Sequence, residues 1–542
     1  MDLFILFTVL AFVVIFILTN LKLLYYYEHP DDRSIGQAVL CKIMVVVGLL
    51  LAWLLILLLP IDVYNSRPAF SSCLFGGSDC PRLDMKWFWS GMYICIAVFV
   101  TVFLPFATFY YEADTDQRVT KCKPWQSALF YMGFTIVIVA AIVGISFALL
   151  SKASIPVKSI ECDRAVAADS SEAPSVCSKA KDAVLEVNVS FEIYLIGIMC
   201  FVGWFLFALF GGIGLTAIPL DLILSYIDRP TAMDLSKFSA RKKLLGEKAT
   251  NLRQIGEDLK GKELDLRSKT GWSSRKEKAA LSQEYNKFKQ AVYLLEREWA
   301  HLEISLKEKG ENPVISIAKL VLGILCAILS VLWLLHILLY NIVSRLTGDL
   351  VPITAFFNDI LIAMERTGFF MLSLAAYAIL VVYLMACVVK GCFKFGMRIF
   401  FLFPIHPMKP HETHMNTFLF NVMLILISAG AIVQFSQDAF AEYARLTDAD
   451  VIFSAQIRHL KFFKYFFANN VFIYILLAWS LVTMIYLLMR PRDTPAFDLN
   501  PRKMNEHQAI NLEKQVEKNQ KKAAARLMGK GGGGPKRGRP QV

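Results

Sequence analysis

Nine stretches of about 20 apolar residues punctuate this chain, each long enough to cross the roughly 30 Å hydrocarbon core of a bilayer as a helix. They cover 3–24, 38–59, 87–110, 127–150, 191–224, 314–343, 367–389, 417–435 and 471–489. A helix is the economical form in lipid because it satisfies its backbone hydrogen bonds within itself. The composition agrees. The 542 residues are 56% hydrophobic and only 19% charged, against about 45–50% and 25% in soluble domains. That balance excludes a soluble enzyme, a disordered chain and a small disulfide-stapled scaffold. The expected fold is all-α: a polytopic α-helical membrane protein with nine transmembrane helices and an antiparallel helical hairpin on the cytoplasmic side.

The first stretch is read as a retained helix rather than a secretory signal. Its start is not basic (Met1, Asp2), its apolar run is too long, and no small-residue cleavage site follows. Orientation follows from where the positive charge sits. The formal charge is +12, and the basic runs fall on one set of connections. These are Arg241–Lys242–Lys243, Arg275–Lys276–Lys278, Lys390 with Lys394 and Arg398, and the C-terminal tail. Lysine and arginine are retained on the cytoplasmic side. The N-terminus is therefore expected outside or in a lumen, with the C-terminus cytoplasmic.

Cysteine placement is an independent check on that reading. Cys73 with Cys80, and Cys162 with Cys177, fall in the expected outer loops, where an oxidising compartment favours a disulfide in each. Cys41, Cys95, Cys200, Cys326 and Cys387 lie in apolar spans, where cysteine acts as a small hydrophobe. Asn188-Val189-Ser190 is a glycosylation sequon on the same outer side, close against the fifth span.

Four regions follow: membrane helices one to five (1–224), the cytoplasmic hairpin (225–313), membrane helices six to nine (314–490), and a basic Gly-rich tail (491–542) expected to be disordered. The hairpin carries a heptad seam of Leu281, Tyr285, Phe288, Val292, Leu295, Trp299, Leu302 and Leu306, alternating four and three. Leu245, Ala249, Leu252 and Leu259 line one face of the first arm, and 270–273 reads as the turn. Arms of this size span roughly 35–40 Å. The seam closes on its own partner arm or, through Tyr285, Phe288 and Trp299, on a second subunit or a cytoplasmic partner. The tail's lysines and arginines are expected to meet anionic lipid headgroups; nucleic acid is the disfavoured partner.

Few residues offer chemistry. Lys42, Glu192, Asp221 and Lys319 lie at span ends and can snorkel or cap. His336 reads as a hydrogen-bonded interior histidine, and Asn421 and Gln434 as helix-packing residues. His406, His411 and His414 cluster, but prolines 404, 407 and 410 break the helix that a metal motif needs. No phosphate loop, dinucleotide fingerprint or nucleophile elbow is present, so neither catalytic residues nor a cofactor is expected. Gly211, Gly212 and Gly214, followed by Pro219, permit either tight helix packing or a hinge.

Several motifs, taken in order, resemble the limb-region (LMBR-like) family, also called the lipocalin-interacting membrane receptor or LIMR family, and its plant and protist branch in particular. They are Tyr27-Glu28-His29-Pro30-Asp31-Asp32, Leu59-Pro60-Ile61-Asp62-Val63, Pro105 through Glu112, Phe210 through Gly214, Ile405 through Lys409 and Asn416 through Asn421. The resemblance covers roughly residues 1–490. It implies a nine-helix protein of the plasma membrane or an endolysosomal membrane, able to form homodimers, that serves as a receptor for lipocalin-like or vitamin-carrier ligands or as an escort or signalling adaptor. A transporter, or a subunit of one, for a small apolar or vitamin-like ligand is the alternative.

Overall fold

The computed structural model describes residues 3–29, 32, 36–67, 83–115, 124–159, 181–229, 233–267, parts of 281–305, 312–343, 354–394, 398–399, 403–404, 408, 410 and 413–489. Backbone contacts divide the chain into two units. One comprises Met1–Ser225 with Lys319–Leu488, the other Tyr226–Ala318 with Met489–Val542. Among the described residues nine helices are long and apolar enough to cross a membrane.

These are α1 (Leu3–Tyr27), α2 (Gly36–Ser66), α3 (Met85–Val98, a π turn Phe99–Phe103, then Leu104–Thr115), α4 (Pro124–Leu150) and α5 (Phe191–Ile227). After α6 (Leu235–Arg267) in the second unit come α7 (Pro313–His336, extended by a π turn Ile337–Val343), the short α8 (Phe356–Arg366), and α9 (Phe370–Lys394). The last two spans are α10 (Met415–Ala439) and α11 (Val471–Met489).

The membrane unit is built around α10. Of its most apolar stretch 83% is buried, against 0% for α4, which lies at the periphery. Lipid tails are as apolar as leucine, so hydrophobicity alone does not bring such helices together; close packing and interhelical hydrogen bonds must. The polar side chains of α10 supply those bonds. Trp204 Nε1 on α5 donates to Gln434 Oε1 at 3.0 Å, and Cys392 Sγ on α9 donates to Asn421 Oδ1 at 3.1 Å. Tyr93 Oη on α3 and Cys200 Sγ on α5 both reach the Gly430 carbonyl.

Glycine brings the backbones of α5 and α9 into contact. A Cβ at Gly214 would run into the backbone of Cys387, and a Cβ at Gly391 into the backbone of Phe210. Antiparallel helices place these two contacts one turn apart. Gly203 meets the Ile427 carbonyl of α10 in the same way.

In the second unit, α6 runs antiparallel to the helical residues described within 281–305. Lys248 pairs with Glu298 at 3.1 Å, Lys262 with Glu284 at 3.1 Å, and Lys242 lies 5.8 Å from the Trp299 ring. Leu245, Leu259 and Leu302 are buried, whereas Ala249 is exposed. Gly256 takes the facing position instead: a Cβ there would come within 3.0 Å of the Phe288 ring, so a bulky ring meets a residue without a side chain. Tyr285 and Trp299 remain 46% and 42% exposed. Burial draws the Lys248 ammonium below its usual range, with the Glu298 carboxylate opposing that shift.

Between α4 and α5 stands a feature absent from the all-helical reading: β1 (Lys152–Ser159) and β2 (Lys181–Asn188) form an antiparallel ribbon. Its residues alternate as strands do. Ala153, Ile155 and Val157 share one face with Ala183, Leu185 and Val187.

Candidate functional site

Two polar constellations in the membrane unit organise its ends. At one end, the segment that follows α10 is held by side chains of α2, of α8 and of Arg67 just after α2. Asp62, 1% exposed near the end of α2, accepts from Trp89 Nε1 at 2.9 Å and from the backbone amides of Ala449 and Asp448 at 2.8 and 3.3 Å. Those amides open the short helix Asp448–Asp450, so the carboxylate sits against the positive end of a helix dipole. Asn358 on α8 donates to the Ala439 carbonyl and accepts from the Tyr443 amide. Arg67 donates to the Tyr443 carbonyl at 2.6 Å and pairs with Glu365 at 3.2 Å. The clamped segment carries Leu446 at φ 68, 80% exposed.

His336 belongs to the same end and is fully buried. Its Nε2 lies 3.1 Å from the Ala439 carbonyl, which requires the proton on Nε2 and leaves Nδ1 as an acceptor. Around it pack Tyr340, Phe357 and Phe440. Among the described residues no hydrogen-bond partner is found for His336 Nδ1, Trp333 Nε1 or Tyr377 Oη, and the rings of all three residues lie within 6.1 Å of the Phe440 ring.

At the other end, the loop after α1 is tied to the start of α10. Tyr27 and His29 exchange backbone bonds with Thr413. Asp32, itself buried, accepts from Tyr111 Oη at 2.7 Å and from the Met415 amide at 3.2 Å, so it caps α10 from a distant part of the chain. His414 stacks on His29 at 4.5 Å. Lys42 pairs with Glu28 at 2.5 Å, and Asp221 on α5 accepts both Lys390, at 2.9 Å, and Lys394 of α9. Motifs far apart in the sequence therefore meet in space: 27–32 with 105–112 and with the start of α10.

A model of the LMBR1-like membrane proteins matches residues 4–309 and 265–485. The chain belongs to this family. A LIMR family protein of Dictyostelium discoideum is 33% identical over 515 residues, covering 88% of this chain and 96% of its own length. LIMR family proteins of Oryza sativa and Arabidopsis thaliana are 32% and 33% identical over 498 and 475 residues, covering 87% and 85% of this chain and 93% and 90% of their own. No solved structure matches the chain.

The glycine-rich stretch of this LMBR1-like protein is helical. α5 runs as a continuous helix through Gly211, Gly212, Gly214 and Pro219. Gly212 lies against Ser480 and Trp479 of α11, and its carbonyl accepts from Thr483. Asn188 closes β2 opposite Lys152 and is exposed. Cys73, Cys80, Cys162, Cys177, His406, His411, Leu306 and the tail lie outside the described residues. Among the described residues no group of three or more metal-ligating side chains occurs. Sequence reading missed Asp62, Asn358 and Arg67; the one visible signal was that Asp62 sits inside a family-like motif.

Proposed function

We propose that this LMBR1-like protein is a non-enzymatic integral membrane receptor or adaptor/escort that binds a ligand or partner on its extracellular or lumenal face. The observation that supports the reading is α10. Asn421 and Gln434 and the Gly430 carbonyl are engaged with neighbouring helices at the centre of the unit. A helix fastened in this way holds the bundle in one arrangement, whereas a translocation path needs polar groups free to meet cargo. The 225–313 hairpin then serves as the cytoplasmic docking element, with Tyr285 and Trp299 exposed for a partner or a second copy. Transport is the second reading, favoured by the unpartnered His336 Nδ1, Trp333 Nε1 and Tyr377 Oη around Phe440.

Proteoliposomes test the two against each other. The receptor reading expects saturable surface binding of a lipocalin–retinoid complex or of cyanocobalamin, with no accumulation inside. Accumulation that is saturable, and lost in Gly212→Leu with folding retained, replaces it with transport.

The proposed orientation places the N-terminus outside and the C-terminus in the cytoplasm. Peptide mapping without reduction is expected to recover Cys73–Cys80 and Cys162–Cys177 as disulfides. Free thiols at all four positions in freshly made protein would reverse the orientation.

A further inference from the structure

We infer that the open edge of β2 is a strand-accepting site, taking an extended protein segment in which a basic residue stands between two apolar ones. The inference deepens the receptor reading by naming where and how a protein ligand is held, and it rests on that reading for the ligand's side of the membrane.

Ladder parity decides which groups of the ribbon face outward. The Val189 amide bonds to the Ser151 carbonyl, and in the register of the ribbon these two residues face each other. Hydrogen-bonded and non-bonded pairs alternate in an antiparallel ladder. Odd-numbered β2 residues therefore bond inward to β1. Asp182, Val184, Glu186 and Asn188 turn their N–H and C=O outward.

The same parity accounts for the outer edge of β1. Lys152 turns its carbonyl outward and receives the Lys461 amide at 2.8 Å. Ala153 bridges to Leu460. Further along, outward-facing Pro156 has no N–H to offer, a common way to close an edge strand. One edge of the ribbon is thus closed by a partner and a proline. Among the described residues the other edge has neither, and the sheet contains only these two strands.

Side chains point to the occupant. On the apolar face Ala153 is buried, but Leu185 and Val187 overhang, 51% and 41% exposed. On the polar face Asp182 stands opposite Lys158, whereas Glu186 stands opposite Ser154, with Lys152 only diagonal to it and no cation directly across. An added strand would set apolar residues beside Leu185 and Val187 and a lysine or arginine beside Glu186. Cross-strand pairs of these kinds are the stabilising ones, and edge addition draws affinity from the backbone and selectivity from alternate side chains.

The test uses full-length protein in nanodiscs and a labelled peptide repeating Val-Arg. With arginine opposite Glu186, the arginine amides face β2 and the valine amides face away. N-methylation of the arginines should weaken binding at least about tenfold, while N-methylation of the valines should leave it unchanged. Val184→Pro removes one outward N–H opposite Pro156 and should abolish binding without lowering the melting temperature. If that variant misfolds, Glu186→Lys decides: it should lose the Val-Arg peptide and gain a Val-Glu repeat. Equal binding of the two methylated peptides, absence of saturable Val-Arg binding, or dissociation of a homodimer by Val184→Pro with the peptide inert would each overturn the inference. Ligand capture in proteoliposomes that survives such a result would leave the receptor reading standing.

Discussion

Replacing Gly214 by leucine should leave no folded protein in the membrane. Gly214 lies against the backbone of Cys387, and Gly391 lies against the backbone of Phe210 one turn away. A side chain there meets main chain rather than a flexible side chain, so α5 and α9 must move apart along both contacts. Overpacking an ordinary core site costs about 1–3 kcal/mol. Here the loss should exceed that range, because the displaced backbone also carries Asp221 away from Lys390 and Lys394. Gly214→Ala should be recoverable but melt well below wild type. Gly144→Ala, with nothing within 4 Å of its added carbon, is the control and should be neutral. Fluorescence-detected gel filtration after heating reads all three. An unchanged profile for Gly214→Leu would mean that the two helices do not touch.

Asp62→Ala is expected to produce the second large effect. It would leave Trp89 Nε1 and the Ala449 amide buried, and the Asp448 amide half-buried, without their acceptor. Each orphaned donor costs roughly 1–3 kcal/mol, and the short helix Asp448–Asp450 loses the negative charge at its start. Asp62→Asn keeps one acceptor oxygen but turns an amide donor toward other donors, so it should recover only part of the loss. Thermal unfolding of the purified protein, with protease susceptibility of the 440–461 segment as the local readout, distinguishes a clamp from a bystander. A clamp gives early cleavage there, ahead of global melting.

The spans were legible because the bilayer demands about 20 apolar residues whatever the tertiary contacts. Asn421 and Gln434 were legible for a related reason: an amide in lipid needs a partner, and a neighbouring helix is the nearest source. The ribbon was not legible in the same way, because an eight-residue strand is too short to stand out as an apolar run. The alternation of Ala183, Leu185 and Val187 was the available signal. The π turns at Phe99–Phe103 and Ile337–Val343 carry no residue signature that separates them from the helices they interrupt. Asp62 marks a deeper limit. Its acceptor role depends on amides 386 and 387 positions away, which no local pattern announces. Asp32 is similar, since the helix it caps begins 383 residues later.

The burial of α10 also bears on how the chain can be made. A segment carrying Asn421, Ser428, Gln434, Ser436 and Gln437 is a poor resident of bare lipid. It needs its receptacle ready when it leaves the ribosome. The helices that touch its polar groups, α3, α5 and α9, all precede it in the chain. Synthesis from the N-terminus therefore completes those walls before the eighth segment arrives, and only α11 remains to be added. Truncation after residue 414 should release a set of helices with an open seam, a natural substrate for membrane quality control. A chain ending at 489 should escape it.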